Sequence, residues 1–184
     1  MQGKNACVLV SGQYHQTGLR SSPGVKSERT SSPERAACRR SVARLAAVQA
    51  LYQLELNPEA DPESVVREFA RHRFGHEIDG DRYGEADPAL FSDVVQGAMA
   101  DRELLDTAIS SVLTEEWPLT RLDAVLRAIL RAGAYELAHR GDVPPRVSIS
   151  EYTTIAHAFF TGKEPGLANG VLDRLGRTLR AAEM

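Results

Sequence analysis

The chain reads as all-α, with six or seven helices. Three observations predict this. Apolar residues recur at helical spacing through most of the sequence from residue 32 onward. Helix-start signals built on proline recur, at Ser32-Pro33-Glu34, Asp61-Pro62-Glu63 and Asp87-Pro88. No stretch alternates apolar and polar residues long enough to build a sheet.

The first helix is expected from Ser32 to about Leu56, stopping before Asn57-Pro58. On a helical wheel Val42, Leu45, Val48, Gln49, Tyr52 and Leu56 share one arc. Arg35, Arg39, Arg40 and Arg44 fall in the opposite half, with Ala36, Ala43, Ala46, Ala47 and Ala50 between them. That predicts a smooth basic face along the helix, where phosphates could approach guanidinium groups closely. Arginine suits this role because its planar fork can bond two phosphate oxygens at once. A basic helix face can equally be an ordinary solvated surface.

A second helix is expected to about Phe74, using Val65, Val66 and Phe69. Residues 75–87 read as a polar acidic loop. Its Asp79, Asp81 and Gly84 echo a calcium loop only faintly, since Tyr83 and Leu90 stand where ligands belong. His72 and His76 have metal-compatible spacing but no third ligand nearby in sequence, so no metal site is expected. A third helix should run unbroken from Asp87-Pro88 to about Leu113. Thr120 should cap a fourth, with Leu122, Val125, Leu126, Ile129, Leu130, Gly133 and Leu137 facing inward; Gly133 there predicts close approach of another helix. Asp123/Arg127 and Glu136/Arg140 read as surface pairs, and the Arg127 and Arg131 pair as solvated or as bordering a partner surface. Ser148 or Ser150 should open a fifth helix, closed by Gly162. The last follows Gly166, with Asn169-Gly170 as a helix-packing device.

Length and composition bound the rest. At 184 residues the soft expectation is one domain over 32–184, preceded by a disordered extension over 1–31, which is polar, rich in Ser and Gly and without period. Mean hydropathy is -0.30, and no apolar run approaches the roughly 18 residues of a membrane span. A cytoplasmic protein with Cys7 and Cys38 as reduced bystanders is expected. Net charge is -3, unevenly placed: residues 1–53 hold eight bases against two acids, and 54–116 hold sixteen acids against five bases. A basic arm on an acidic body suggests local docking of a polyanion. GxSxG, P-loop and clustered metal ligands are all missing from the sequence, so neither catalysis nor a cofactor is expected.

Four blocks then carry a resemblance: RRSVARLAAVQALYQLEL (39–56), VLRAILRAGAYEL (125–137), DVPPRVSISE (142–151) and ANGVLDRL (168–175). In this order they resemble the bacterial transcription antitermination factors of the NusB family. The resemblance implies a fold of two small helical bundles without catalytic activity. It implies binding of boxA-type single-stranded RNA together with a small-subunit ribosomal protein, NusE, within the RNA polymerase antitermination complex. It also implies that a homodimer is open to the chain. The family's arginine-rich motif matches Arg39, Arg40 and Arg44, with Arg35 added one turn earlier; Tyr52 and the Lys163–Leu167 loop match further contact positions, although Tyr52 lies on the apolar stripe, where a core or partner-interface role is the stronger reading than base stacking. Gly166 and Leu167 depart from the pattern, which often places a basic and an aromatic residue there, and Lys163 is left as the base of that loop. The rival to RNA binding is a helical adaptor that binds protein alone.

Overall fold

The computed structural model describes residues 32–72, 74, 77–78, 81–82 and 86–184. The expected extension over 1–31 and the loop positions His76, Asp79, Tyr83 and Gly84 lie outside the described residues. Among the described residues there are seven α-helices: α1 (Ser32–Leu56), α2 (Pro62–His72), α3 (Pro88–Ala100), α4 (Arg102–Val112), α5 (Ala124–His139), α6 (Pro145–Phe159) and α7 (Glu164–Leu179). Single 3₁₀ turns stand at Leu119–Arg121 and Ala181–Glu183. Within the acidic loop, β1 (Glu77–Ile78) pairs antiparallel with β2 (Asp81–Arg82). The all-α expectation holds.

Helix starts follow the expected chemistry where an acid precedes proline. Asp87 Oδ1 accepts from the Ala89 and Leu90 amides at 3.1 Å each, so two donors that the helix leaves orphaned are met. Asp61 Oδ2 does the same for Ser64 N at 2.9 Å. Four boundaries differ from expectation. The third helix is two: Asp101, at φ -97° and ψ 14°, separates α3 from α4, and its carboxylate lies 3.0 Å from His139 Nε2. Asp123, not Thr120, caps α5, accepting from Val125 N at 2.8 Å, and Thr120 sits in the 3₁₀ turn. Helix α6 begins at Pro145, where a missing N–H costs nothing, and Ser148 points inward instead of opening it. Helix α7 begins one residue before its proline, at Glu164, and not after Gly166.

Helices α1, α2 and α3 pack together, α4 to α7 form a second group, and the two groups meet along α1 and α5. Those two central helices explain the apolar pattern. In α1, Ala43, Ala46, Ala47, Val48, Ala50, Leu51 and Leu54 are all buried. In α5 burial is continuous from Ala128 to Leu137. Alanine on the sides of α1 lets its neighbours come close, so the face expected to be smooth and basic is core for most of its length. Gly133 performs as expected: a Cβ there would lie 2.8 Å from Leu172 Cδ2 on α7 and 3.2 Å from Tyr152 Cδ2 on α6. Gly170 does not, since nothing lies within 4 Å of a Cβ built on it, although Asn169 Oδ1 stands 3.4 Å from Thr153 Oγ1.

Both expected surface pairs dissolve into longer-range ones. Glu136 is fully buried against Arg44 rather than paired with Arg140. Arg127 Nε donates to Glu55 Oε1 at 2.6 Å. Arg131 is buried, not solvated, and bridges Glu55 Oε2 and Asp106 Oδ1 at 2.6 Å each. Helix α1 is thus clasped to antiparallel α5 at two places, with a base from α1 near one end and an acid from α1 at the other.

Candidate nucleic-acid interface

Residues 33–40 are exposed without exception. Eight residues make more than two turns, so exposure on every side means that this end of α1 stands clear of the body. Arg35, Arg39 and Arg40 lie on it. The Arg39 carbonyl accepts from the Asp87 amide at 3.0 Å, and Arg39 Nη2 reaches 3.5 Å from Ala86 O, so the entry to α3 steadies the projecting turns. Arg40 stands near Asp142, at the junction of α5 and α6. The Asp142 carboxyl is held down to about 2, first by its hydrogen bonds to the Arg140 guanidinium and to a lesser degree by the charge of Arg40.

The structure does not put Arg44 with the other three. One turn further into the helix, it is only 2% exposed. Its Nε lies 3.2 and 3.0 Å from the two Glu136 carboxylate oxygens, and its Nη2 lies 2.7 Å from Oε1. Burial works against the charge, but the hydrogen bonds and charge of Glu136 outweigh it, and the Arg44 pKa is raised. The same carboxylate accepts from Ser148 Oγ at 2.7 Å and Tyr152 OH at 3.2 Å. A guanidinium so enclosed has no face to offer a phosphate. The reason is position along the axis: α1 enters the core between Arg40 and Arg44.

Tyr52 is half-buried against the core, thirteen residues beyond Arg39, or about 20 Å along the axis. Lys163 is exposed just before α7. Arg180, at the other end of α7, donates to Val143 O at 2.7 Å and Arg140 O at 3.1 Å, so α6 and α7 run antiparallel and Lys163 sits at the far end of both from Asp142. The structure therefore gathers Arg35, Arg39 and Arg40, encloses Arg44, and leaves Tyr52 and Lys163 about two nanometres away. Sequence reasoning missed the Arg140, Asp142 and Arg180 cluster beside Arg40. Arg180 joins it from about 40 residues away, a separation for which no local signal exists.

Among the described residues, no group of three or more His, Cys, Asp or Glu could hold a metal ion, and no helix is long and apolar enough to cross a membrane. The surface offers charge and hydrogen-bond donors, which suits recognition of an anion.

Comparison with known proteins agrees with this arrangement of helices. The NusB family matches residues 41–177, a span that holds Arg44, Tyr52, Glu136 and Lys163 and begins just after Arg40. A transcription antitermination protein NusB from Nitrobacter hamburgensis is 51% identical over 150 residues, covering 82% of this chain and 93% of the relative. Another from Agrobacterium fabrum is 50% identical over 141 residues, covering 77% and 85%. The solved NusB of T. maritima superposes with a TM-score of 0.64 at 28% identity, over 78% of this chain and 94% of that one. A solved complex of the antitermination factors NusB and NusE with dsRNA shares the fold, with a TM-score of 0.62 at 22% identity over 75% and 96% of the two chains. Half of all aligned positions are shared along nearly the whole length of the curated relatives, and the same helices stand in the same order; the chain belongs to the NusB family.

Proposed function

We propose that this chain is a transcription antitermination factor that binds boxA-type single-stranded RNA of nascent ribosomal transcripts. In this reading it acts with the small-subunit ribosomal protein NusE and joins the RNA polymerase antitermination complex in the cytoplasm. The observation that carries the reading is identity of about half to curated antitermination proteins over most of both chains. The exposed Arg35, Arg39 and Arg40 on a helix end that stands clear of the body support it. Phosphate contacts position a strand but read no bases. Three arginines alone should bind weakly, which makes a partner that extends the surface physically sensible. Tyr52 and Lys163 would meet RNA only if the strand runs about 20 Å from the basic end, a length that several extended nucleotides span. The task is binding and not turnover.

The test is fluorescence anisotropy of a labelled boxA-type RNA, with and without NusE, over a salt series. Salt-dependent binding that NusE strengthens is expected. Contacts from Arg35, Arg39 and Arg40 to three phosphates on a single strand give a log–log salt slope of about −2. Arg39→Ala with Arg40→Ala should weaken binding and flatten that slope. RNA that adds nothing to a retained complex with NusE would favour the adaptor reading, to which the acidic middle of the chain is suited.

A further inference from the structure

We infer that Arg44 is a positioning residue, whose buried fork on Glu136 sets the direction in which Arg35, Arg39 and Arg40 are presented to RNA without itself touching phosphate. The inference rests on the RNA-binding reading above.

The geometry is that of a register pin. Glu136 belongs to α5, Arg44 to α1, and Ser148 and Tyr152 to α6, so three helices meet on one carboxylate. Arg44 approaches it with Nε and Nη2 together, at 3.0 and 2.7 Å for the nearest contacts. Two parallel bonds between planar groups fix rotation as well as distance. The remaining amine, Nη1, lies 3.6 Å from Glu151 on α6, which holds the third corner of the guanidinium. With Ser148 and Tyr152 filling its other lone pairs, Glu136 has no alternative partner to turn to. Offering Arg44 to a phosphate would leave this carboxylate buried and unpaired.

The pin sits where it controls the projecting end. Arg40 is one turn earlier on nearly the same side of α1, because four residues advance the helix by about 6 Å and 40°. Before Arg40 every residue back to Pro33 is exposed, so that end is oriented by the Arg39 contacts to the start of α3 and by the clamp one turn further in. A rigid helix inherits its rotational phase from the turns that clamp it, and Arg44 holds the first of those that lies inside the core. Ala43, on the opposite flank, is buried but carries only a methyl, which resists rotation poorly.

The test uses the full chain with a boxA-type RNA. Glu136→Gln keeps the shape and removes the charge partner; the pair Arg44→Met with Glu136→Leu replaces the pin by packing alone. Ser148→Ala removes a single donor and serves if Glu136→Gln does not fold. Far-UV circular dichroism and thermal melting establish a temperature at which each variant is folded, and anisotropy over a salt series is read there. Several-fold weaker RNA binding is expected in Glu136→Gln and in the double variant, smaller in Ser148→Ala, with the salt slope held near the wild-type −2, while Arg40→Ala lowers its magnitude by about 0.7. Three outcomes overturn the inference alone. One is wild-type affinity in a folded Glu136→Gln, which would make the pin a matter of stability only. The second is affinity that recovers in the double variant in step with melting temperature. The third is tighter binding with a steeper slope in Glu136→Gln, which would make a freed Arg44 a phosphate contact. A wild-type chain that binds no RNA overturns the RNA reading, and this inference with it.

Discussion

Arg40 and Arg44 are one helical turn apart on the same side of α1 and live in different media. Arg40 is exposed near a carboxylate at the surface, whereas Arg44 is 2% exposed inside a three-helix contact. The alanines beside them divide the same way: Ala36 faces solvent, while Ala43, Ala46, Ala47 and Ala50 are core. Chemically the two stretches are alike. What separates them is where the helix meets the rest of the protein. A helical wheel projects the helix down its axis, so it reports which residues share a side and discards how far along they lie. The lesson is that a basic face is a statement about two coordinates, and periodicity supplies one.

The sharpest way to break this comparison is to remove the partner of one arginine and the others outright. Glu136→Ala leaves Arg44 buried and uncompensated, and should cost about 3–5 kcal/mol in urea unfolding. Arg35 and Arg40 both changed to Ala should leave stability within about 0.5 kcal/mol per site, since exposed substitutions away from caps and networks rarely matter more. Comparable losses in the two experiments would mean that the projecting end is packed after all. Next in size is Gly133→Ala. The added methyl would sit 2.8 and 2.9 Å from the Leu172 δ-carbons and 3.2 Å from the Tyr152 ring. Overpacking of that order costs about 1–3 kcal/mol, offset by about 1 kcal/mol of better helix propensity. A net destabilisation of about 1 kcal/mol is expected by the same measurement; a gain would show that Leu172 swings aside freely.

How much of this was legible follows from the range of each interaction. Caps at Asp61 and Asp87 were legible because the side chain bonds an amide two or three residues away. Gly133 was legible because an isolated glycine inside a strong apolar period needs a packing reason, and Leu172 supplies it. The break at Asp101 was not, because apolar spacing continues across it and no glycine or proline marks it. The fates of Arg131, Glu136 and Arg140 were not legible either. Each had an attractive local partner at i, i+4 or a plausible solvated role, and each was claimed by a distant residue instead: Asp106 and Glu55, Arg44, and Asp93. Local pairs are worth only a few tenths of a kcal/mol, so burial against a long-range partner overrides them. The candidate interface was legible to the same extent: the three exposed arginines were visible as a cluster, and the enclosure of the fourth depended on Glu136, 92 residues away.

The smallest effect belongs to Asp142, which stands between the two regions. Its carboxyl is depressed from 3.8 to about 2, chiefly by hydrogen bonds from Arg140, with Arg40 contributing least. A depressed carboxylate stabilises the fold above its ordinary pKa, and that contribution is lost as pH falls through the folded value. The gap in melting temperature between wild type and Asp142→Asn should therefore be constant above about pH 5 and narrow from pH 4 toward 2. Solvent screens this exposed pair, so the gap should be small and shrink further in high salt. Adding Arg40→Ala should change it little. A gap that instead collapsed with Arg40 removed would mean that Arg40 is held by Asp142 and is not available to an incoming phosphate, which would move the candidate interface toward Arg35 and Arg39.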